Sequence, residues 1–247
     1  MLNLVDVVVG YTVYIQLIRP IIAGKKIVSS TMMQEVDRVE AALETVLSGK
    51  SCAIVSSGDA GIYAMAGLAL EICAVRQISV TYRRGGKCEE QNAGTPGALE
   101  IEVVPGIPAV CAGASLLGAP LTHDFACISL SDLLTPWELI EKRLHAAASA
   151  DFVVAIYNPK SRRRATQLEQ AQQIVLQYRN GATPVGVVTS AMREDQDVHL
   201  TTLENLHRAP VTMLSTVFIG NSTSFVYQGV MITPRGYSRK YSFQGQN

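Results

Sequence analysis

Five short segments hold the residue types that bind or activate small molecules. The first is Ser56-Ser57-Gly58-Asp59-Ala60-Gly61. Small residues between an apolar run and a helical pattern let a ligand approach the backbone. Free N–H groups at a helix start favour anionic or carbonyl partners. Asp59 is placed either to accept hydrogen bonds from a ribose or ammonium group or to cap the following helix. The second is Val103-Val104-Pro105-Gly106-Ile107-Pro108-Ala109, where two prolines stiffen a turn after a strand. The third, Pro120-Leu121-Thr122-His123-Asp124, offers His123 as a general base, because an imidazole titrates near neutrality. A structural histidine fits that segment equally well. The fourth is Tyr157-Asn158-Pro159-Lys160-Ser161-Arg162-Arg163-Arg164. Three arginines at an expected helix start oppose the macrodipole, which points to a use such as gripping carboxylates; a solvated basic face is the alternative. The fifth, Val188-Thr189-Ser190-Ala191-Met192, either lines a pocket or closes a strand.

The elements flanking these segments alternate. Leu4–Val9 is a β-branched run ending at Gly10 and reads as a buried strand. Gln34–Ser48 has apolar residues at helical spacing. Cys52–Val55, Ile78–Tyr82 and Leu99–Val104 read as strands, with a helix from Ile62 to about Cys73 and a small-residue helix after Pro105-Gly106 that runs through Leu117. This βα alternation predicts a parallel sheet with crossover helices. After residue 120 come strands at Ala126–Leu130, Phe152–Ile156, Val185–Thr189, Val211–Ile219 and Phe225–Ile232. Helices are expected from Pro136 to about Ala148 and over Arg164–Arg179. Gly220-Asn221-Ser222 reads as a turn joining the last two strands into an antiparallel edge. The expectation is two α/β domains, residues 1–120 and 121–247, the second with a mixed sheet. Arg83–Gly97 is polar and Gly-rich and reads as a surface loop, and the tail after Gly236 is polar.

Composition narrows the function classes. Lys plus Arg equals Asp plus Glu at 21 each, so no global field steers the chain to nucleic acid or an anionic membrane. The single basic cluster and few aromatics also argue against nucleic acid. The five cysteines form no C-x-x-C pair and read as reduced, mostly buried thiols of a cytoplasmic protein. No clustered ligands for a protein-bound metal are visible. No stretch reads as a signal peptide or membrane span. There is no G-x-G-x-x-G and no P-loop lysine motif, which disfavours an unrelated nucleotide-binding enzyme.

Taken in order, the segments resemble the tetrapyrrole methylases. The residues that carry the resemblance are DVVVGYTVYIQLI (Asp6–Ile18), SSGDAGIYAMAGLALE (Ser56–Glu71), VVPGIPA (Val103–Ala109), ASLLGAPLTHDF (Ala114–Phe125), ISLSDLLTPW (Ile128–Trp137), FVVAIYNPKSR (Phe152–Arg162), TPVGVVTSA (Thr183–Ala191) and GVMITPRGY (Gly229–Tyr237). Within the family, the closest likeness is to the C(17)-methyltransferases of cobalamin biosynthesis. That likeness implies S-adenosylmethionine-dependent methylation of carbon 17 of precorrin-3B or cobalt-precorrin-3, with ring contraction to the corresponding precorrin-4 and S-adenosylhomocysteine as by-product. It also implies two α/β domains with the active site in the cleft between them, a corrin-precursor substrate and a homodimer.

By position, the resemblance assigns cofactor contacts to Ser57, Gly58, Asp59, Ile62, Pro108, Ala109, Tyr157, Ala191 and Thr216. It assigns substrate contacts to Ser129, Ser131 and Arg162, and makes His123 the catalytic candidate for a proton step during ring contraction. Two departures stand out. The family places a strand and a Gly-Pro-rich loop before the position of Asp6, so the first sheet is expected to lack its usual first strand. The Arg83–Gly97 stretch looks like an insertion. The alternative reading is therefore a truncated, catalytically impaired tetrapyrrole-binding homologue.

Overall fold

A computed structural model describes residues 1–85, 87–88 and 97–242. The chain divides into two compact units, Met1–Pro108 and Ala109–Asn247. The expected boundary at residue 120 thus falls later than the observed division, and the small-residue helix at 109–117 goes with the second unit.

In the first unit β1 (Val7–Tyr11) lies between β2 (Lys26–Ser30) and β3 (Cys52–Val55), parallel to both. Val7, Val8 and Val9 are fully buried, as a β-branched run at the centre of a sheet should be. The short helix α1 (Thr12–Leu17) follows β1, and α2 (Glu35–Leu47) buries Val39, Ala42 and Leu43 against the strands. After α3 (Met65–Val75), a second sheet sets β4 (Val80–Arg84) between β5 (Lys87–Cys88), antiparallel, and β6 (Leu99–Glu102), parallel. The strand pairing therefore makes two three-stranded sheets where one was expected. β3 is hydrogen-bonded only to β1 and β6 only to β4, so no backbone ladder joins the two sheets among the described residues. They share an apolar cluster that includes Val39, Leu43, Met65, Ile54, Leu99 and Ile101. Of the expected loop at 83–97, Arg83 and Arg84 close β4, residues 87–88 pair with it, and the rest lies mainly outside the described residues.

The second unit opens with α4 (Ala109–Leu117) and the two-residue strand β7 (Gly118–Ala119). Its main sheet is built from β8 (Phe125–Ser129), β9 (Val153–Tyr157), β10 (Pro184–Thr189), β11 (Asp197–Thr202) and β12 (Ser215–Ile219), in the order β11-β10-β12-β9-β8. β8 and β9 are parallel and the other pairs antiparallel, which is the mixed sheet expected. α5 (Trp137–Ser149), α6 (Gln167–Leu176) and a 3-10 turn at Leu203–Arg208 contribute to one large core around Leu130, Leu144, Ile156, Val175 and Leu203. α4 packs with Ala155, Val188 and Phe218 in a second cluster. Its small residues have a geometric cause: a Cβ on Gly113 would lie 2.8 Å from two ring carbons of Phe218.

One pairing differs from expectation. β12 is sandwiched between β10 and β9 and does not pair with the strand after it. The residues at 225–232 instead fold on themselves as a hairpin, β13 (Phe225–Tyr227) and β14 (Val230–Ile232), turning at Gln228 and Gly229, both with positive φ. β14 then pairs in parallel with β7. The turn signal at Gly220-Asn221-Ser222 is real, but Ser222 is tied by its amide and hydroxyl to Asp151. That directs the chain away from β12.

Candidate functional site

In the first unit the candidate residues sit where β3 and β6 end. The helix expected from Ile62 begins only at Met65, because residues 59–64 form a turn of their own. Tyr63 has φ of +51° and Gly58 of +74°. The left-handed region is costly for an aromatic residue, and such strain concentrates at functional loops. Asp59 caps no helix: its Oδ1 accepts the Gly61 amide at 2.8 Å and its Oδ2 the Gly106 amide at 3.0 Å. Those two bonds, Gly106 first, hold its carboxyl below the ordinary carboxylate pKa. Gly106 presses on the first loop so closely that a Cβ would fall on the Gly58 carbonyl oxygen. The structure thus brings Gly58, Asp59 and Gly106 together. Ser57 and Gly58 are exposed beside them, with Ile62, Tyr63 and Ile107 as exposed apolar neighbours. Pro108 is the last residue of this unit.

The second unit gathers its candidates at one edge of the main sheet. The register sets Ser129 opposite Tyr157, and Thr189 opposite Ser215, so β8, β9, β10 and the start of β12 all present this edge. Ser129 Oγ accepts the Asn158 side-chain amide at 2.9 Å and the Ser131 backbone amide at 3.2 Å. The Tyr157 hydroxyl accepts the Val110 amide at 2.8 Å and so anchors the first turn of α4, just after Ala109. Tyr157 and Ala191 pack on the same apolar cluster. Asn158, Ser190 and Met192 have φ of +50°, +50° and +61°. Thr216 is 6% exposed and paired with Val188, behind this edge and not on it.

The arginines are arranged differently from the expectation. α6 begins at Gln167, so Arg162, Arg163 and Arg164 lie in the loop before it, and the conflict with a helix dipole disappears. Ser161 Oγ accepts the amides of Arg163 and Arg164 and shapes that loop. Arg162 is exposed, whereas Arg164 is mostly buried, with Nη1 3.4 Å from Ser131 Oγ and 3.9 Å from Asp132 Oδ1. Arg164 and Asn158 belong to the fourth segment, but its pattern singled out Arg162 for the substrate and gave these two no role of their own. Asn158 carried a signal, since asparagine tolerates the left-handed region that it adopts at this strand end.

His123 does not join this group. It precedes Phe125, at the opposite end of β8 from Ser129, and the strand alone sets those two ends about 13 Å apart. There it lines a cavity of about 380 Å³ with Asp124, Asp151, Asn221 and Arg235. Its Nδ1 accepts the Asp124 amide at 2.8 Å. Of the described cysteines, Cys73 is buried, Cys52 and Cys127 are partly so, and Cys111 departs from the expectation of mostly buried thiols by being exposed. Burial pushes the Cys52 thiol up to about 11. Among the described residues no three His, Cys, Asp or Glu side chains are grouped to hold a metal ion, and no helix is long and apolar enough to cross a membrane.

Backbone-lined loops at strand ends, with residues in the left-handed region and small residues behind them, are features of small-molecule sites in α/β proteins. The family model for tetrapyrrole (corrin/porphyrin) methylases matches residues 1–207, and the chain belongs to that family. Among its relatives is the cobalt-factor III methyltransferase of Priestia megaterium, 49% identical over 96% of this chain; the chain spans only 41% of that protein's length. The probable cobalt-factor III C(17)-methyltransferase of Salmonella typhimurium LT2 is 44% identical, over 96% of this chain and 90% of that one. Among solved structures, that of the methyltransferase CobJ is similar with a TM-score of 0.82 and 31% identity, covering 94% of this chain and 90% of that one.

Proposed function

We propose that the chain is a cytoplasmic S-adenosylmethionine-dependent C-methyltransferase that methylates carbon 17 of a cobalt-loaded corrin precursor in cobalamin biosynthesis. The observation that carries this reading is the 44% identity to the Salmonella enzyme across nearly the full length of both chains. Both curated relatives named above are cobalt-factor III enzymes, which favours the cobalt-containing substrate over the metal-free one.

The strand-end residues fit the cofactor. In the first unit the exposed Ser57–Gly58 backbone and the apolar Ile62 and Ile107, followed by Pro108, suit a nucleoside. The second unit, taken by itself, offers Ala109, Tyr157 and Ala191 at its own strand ends. When bound, S-adenosylmethionine supplies an electrophilic methyl group and its own leaving group. The protein then has to align the acceptor carbon and exclude water, which strained, rigid loops do without an acid–base triad. On the substrate side, the Ser129–Asn158–Ser131 network and exposed Arg162 suit the carboxylate side chains of a tetrapyrrole, with Arg164 holding Ser131. His123 lies outside this alignment. Homodimer formation is supported by the exposed Phe225, Val226, Tyr227 and Val230 on the β13–β14 hairpin, whose outer strand is an open sheet edge.

Calorimetry with S-adenosylhomocysteine, followed by methyl transfer from labelled S-adenosylmethionine to cobalt-loaded and metal-free substrates, tests the proposal. Binding together with label in the cobalt-loaded product is expected. Label only in the metal-free product would move the substrate assignment, and no binding would defeat the cofactor reading.

A further inference from the structure

We infer that Asp59 is a positioning residue: its carboxylate clamps the loop after β6 onto the loop after β3, and it does not touch the methyl donor. The inference rests on the cofactor reading above and gives Asp59 a different task from the contact its position in the motif implied.

Three observations carry it. Each carboxylate oxygen of Asp59 already takes one backbone amide, Gly61 from its own turn and Gly106 from a loop 47 residues away in sequence. Gly106 lies against the Gly58 carbonyl with no space for a Cβ, so the two loops touch backbone to backbone. Finally, β3 and β6 belong to different sheets with no hydrogen-bond ladder between them among the described residues. In a continuous sheet the ladder would fix the spacing of neighbouring strand ends. Here the apolar cluster holds the sheets in contact, but apolar contact is non-directional. Asp59 supplies a direct polar tie between the two loops. A charged acceptor is suited to this, since charge-assisted bonds to backbone amides are shorter and stronger than neutral ones. Asparagine is a poorer clamp, because it keeps one acceptor and turns a donor amide toward the other N–H.

The test uses the full chain, ¹⁵N-labelled, with Asp59→Ala, Asp59→Asn and Gly106→Ala. The amide protons of Gly61 and Gly106 are read by NMR, and affinities for S-adenosylhomocysteine, methylthioadenosine and adenosine by calorimetry. If Asp59 acts through the loops, Asp59→Ala moves both amides upfield together. It also weakens all three ligands by a common factor of about ten or more, the scale set by small misplacements of a binding group. Asp59→Asn recovers part of that loss. Gly106→Ala reproduces the common loss with the carboxylate intact, so the effect is separable from removal of a charge. A loss confined to S-adenosylhomocysteine, the ligand with the amino-acid moiety, would overturn the inference in favour of direct contact. Unmoved amides, or affinities unchanged in Asp59→Ala, would overturn it as well. Should the unsubstituted chain bind none of the three, the cofactor reading fails, and the positioning role fails with it, while the two amides still report whether the clamp forms.

Discussion

Gly113→Ala sets two known effects against each other in the helix that opens the second unit. Alanine in a helix is favoured over glycine by about 1 kcal/mol. Against this, the added Cβ would lie 2.8 Å from Cε2 and Cζ of Phe218, a side chain with no exposed surface in the middle of the main sheet. Overpacking of that kind costs about 1–3 kcal/mol, because a ring held on all sides cannot retreat. The balance is a net destabilisation of about 1 kcal/mol. In a Phe218→Leu background the ring carbons are gone and the helix gain remains, so the same substitution becomes stabilising by about 1 kcal/mol. The coupling between the two positions is then about 2 kcal/mol, large enough to measure by a double-mutant cycle. The chain has one tryptophan, Trp137, packed against the main core of this unit, so its fluorescence in urea reports the second unit alone. With a slope of about 1–3 kcal/mol per molar urea, Gly113→Ala should lower the midpoint by about 0.5 M, and should raise it when Phe218 is leucine. A higher midpoint in the unsubstituted background, or additive effects, would refute the claim that α4 is seated on Phe218.

Tyr157→Phe leaves the buried Val110 amide without its hydroxyl acceptor and should cost about 1–2 kcal/mol, seen as a lower urea midpoint by Trp137 fluorescence. His123→Ala should leave S-adenosylhomocysteine affinity intact and turnover within about twofold, given its place beyond the opposite end of β8 from Ser129; a tenfold fall in turnover would return His123 to the chemistry. With Cys52 raised from 9.0 to about 11, its thiolate is about a hundredfold scarcer than that of an ordinary thiol at pH 8. Alkylation mapped by mass spectrometry should therefore label exposed Cys111 well before Cys52. The rate at Cys52 should keep rising with pH up to about 11, the direction required of a raised thiol pKa.

The sequence by itself determined the family and the alternation of elements. Runs such as Val7–Val9 and Val153–Ile156 are too β-branched and continuous to be anything but buried strands, and Gly-rich turns after strands mark where a ligand reaches backbone. The ordered motifs carried the functional reading because each preserves a local requirement: a small residue where backbones touch, a polar one where a strand ends. Tertiary structure decided what depends on partners distant in the chain. Asp59 reads as a helix cap or a ligand contact until Gly106 arrives from another strand to take its second oxygen. Arg164 is distinguished from Arg162 only by the arrival of Ser131 and Asp132. His123 and Ser129 are six residues apart yet stand at opposite edges of one sheet, because an extended strand carries its two ends to opposite sides. The strand at 225–232 turned back on itself because β10 and β9 had already occupied both sides of β12. Pattern along the chain reports which side chains seek burial. Which hydrogen-bonding edges remain open is settled only when the whole sheet is assembled.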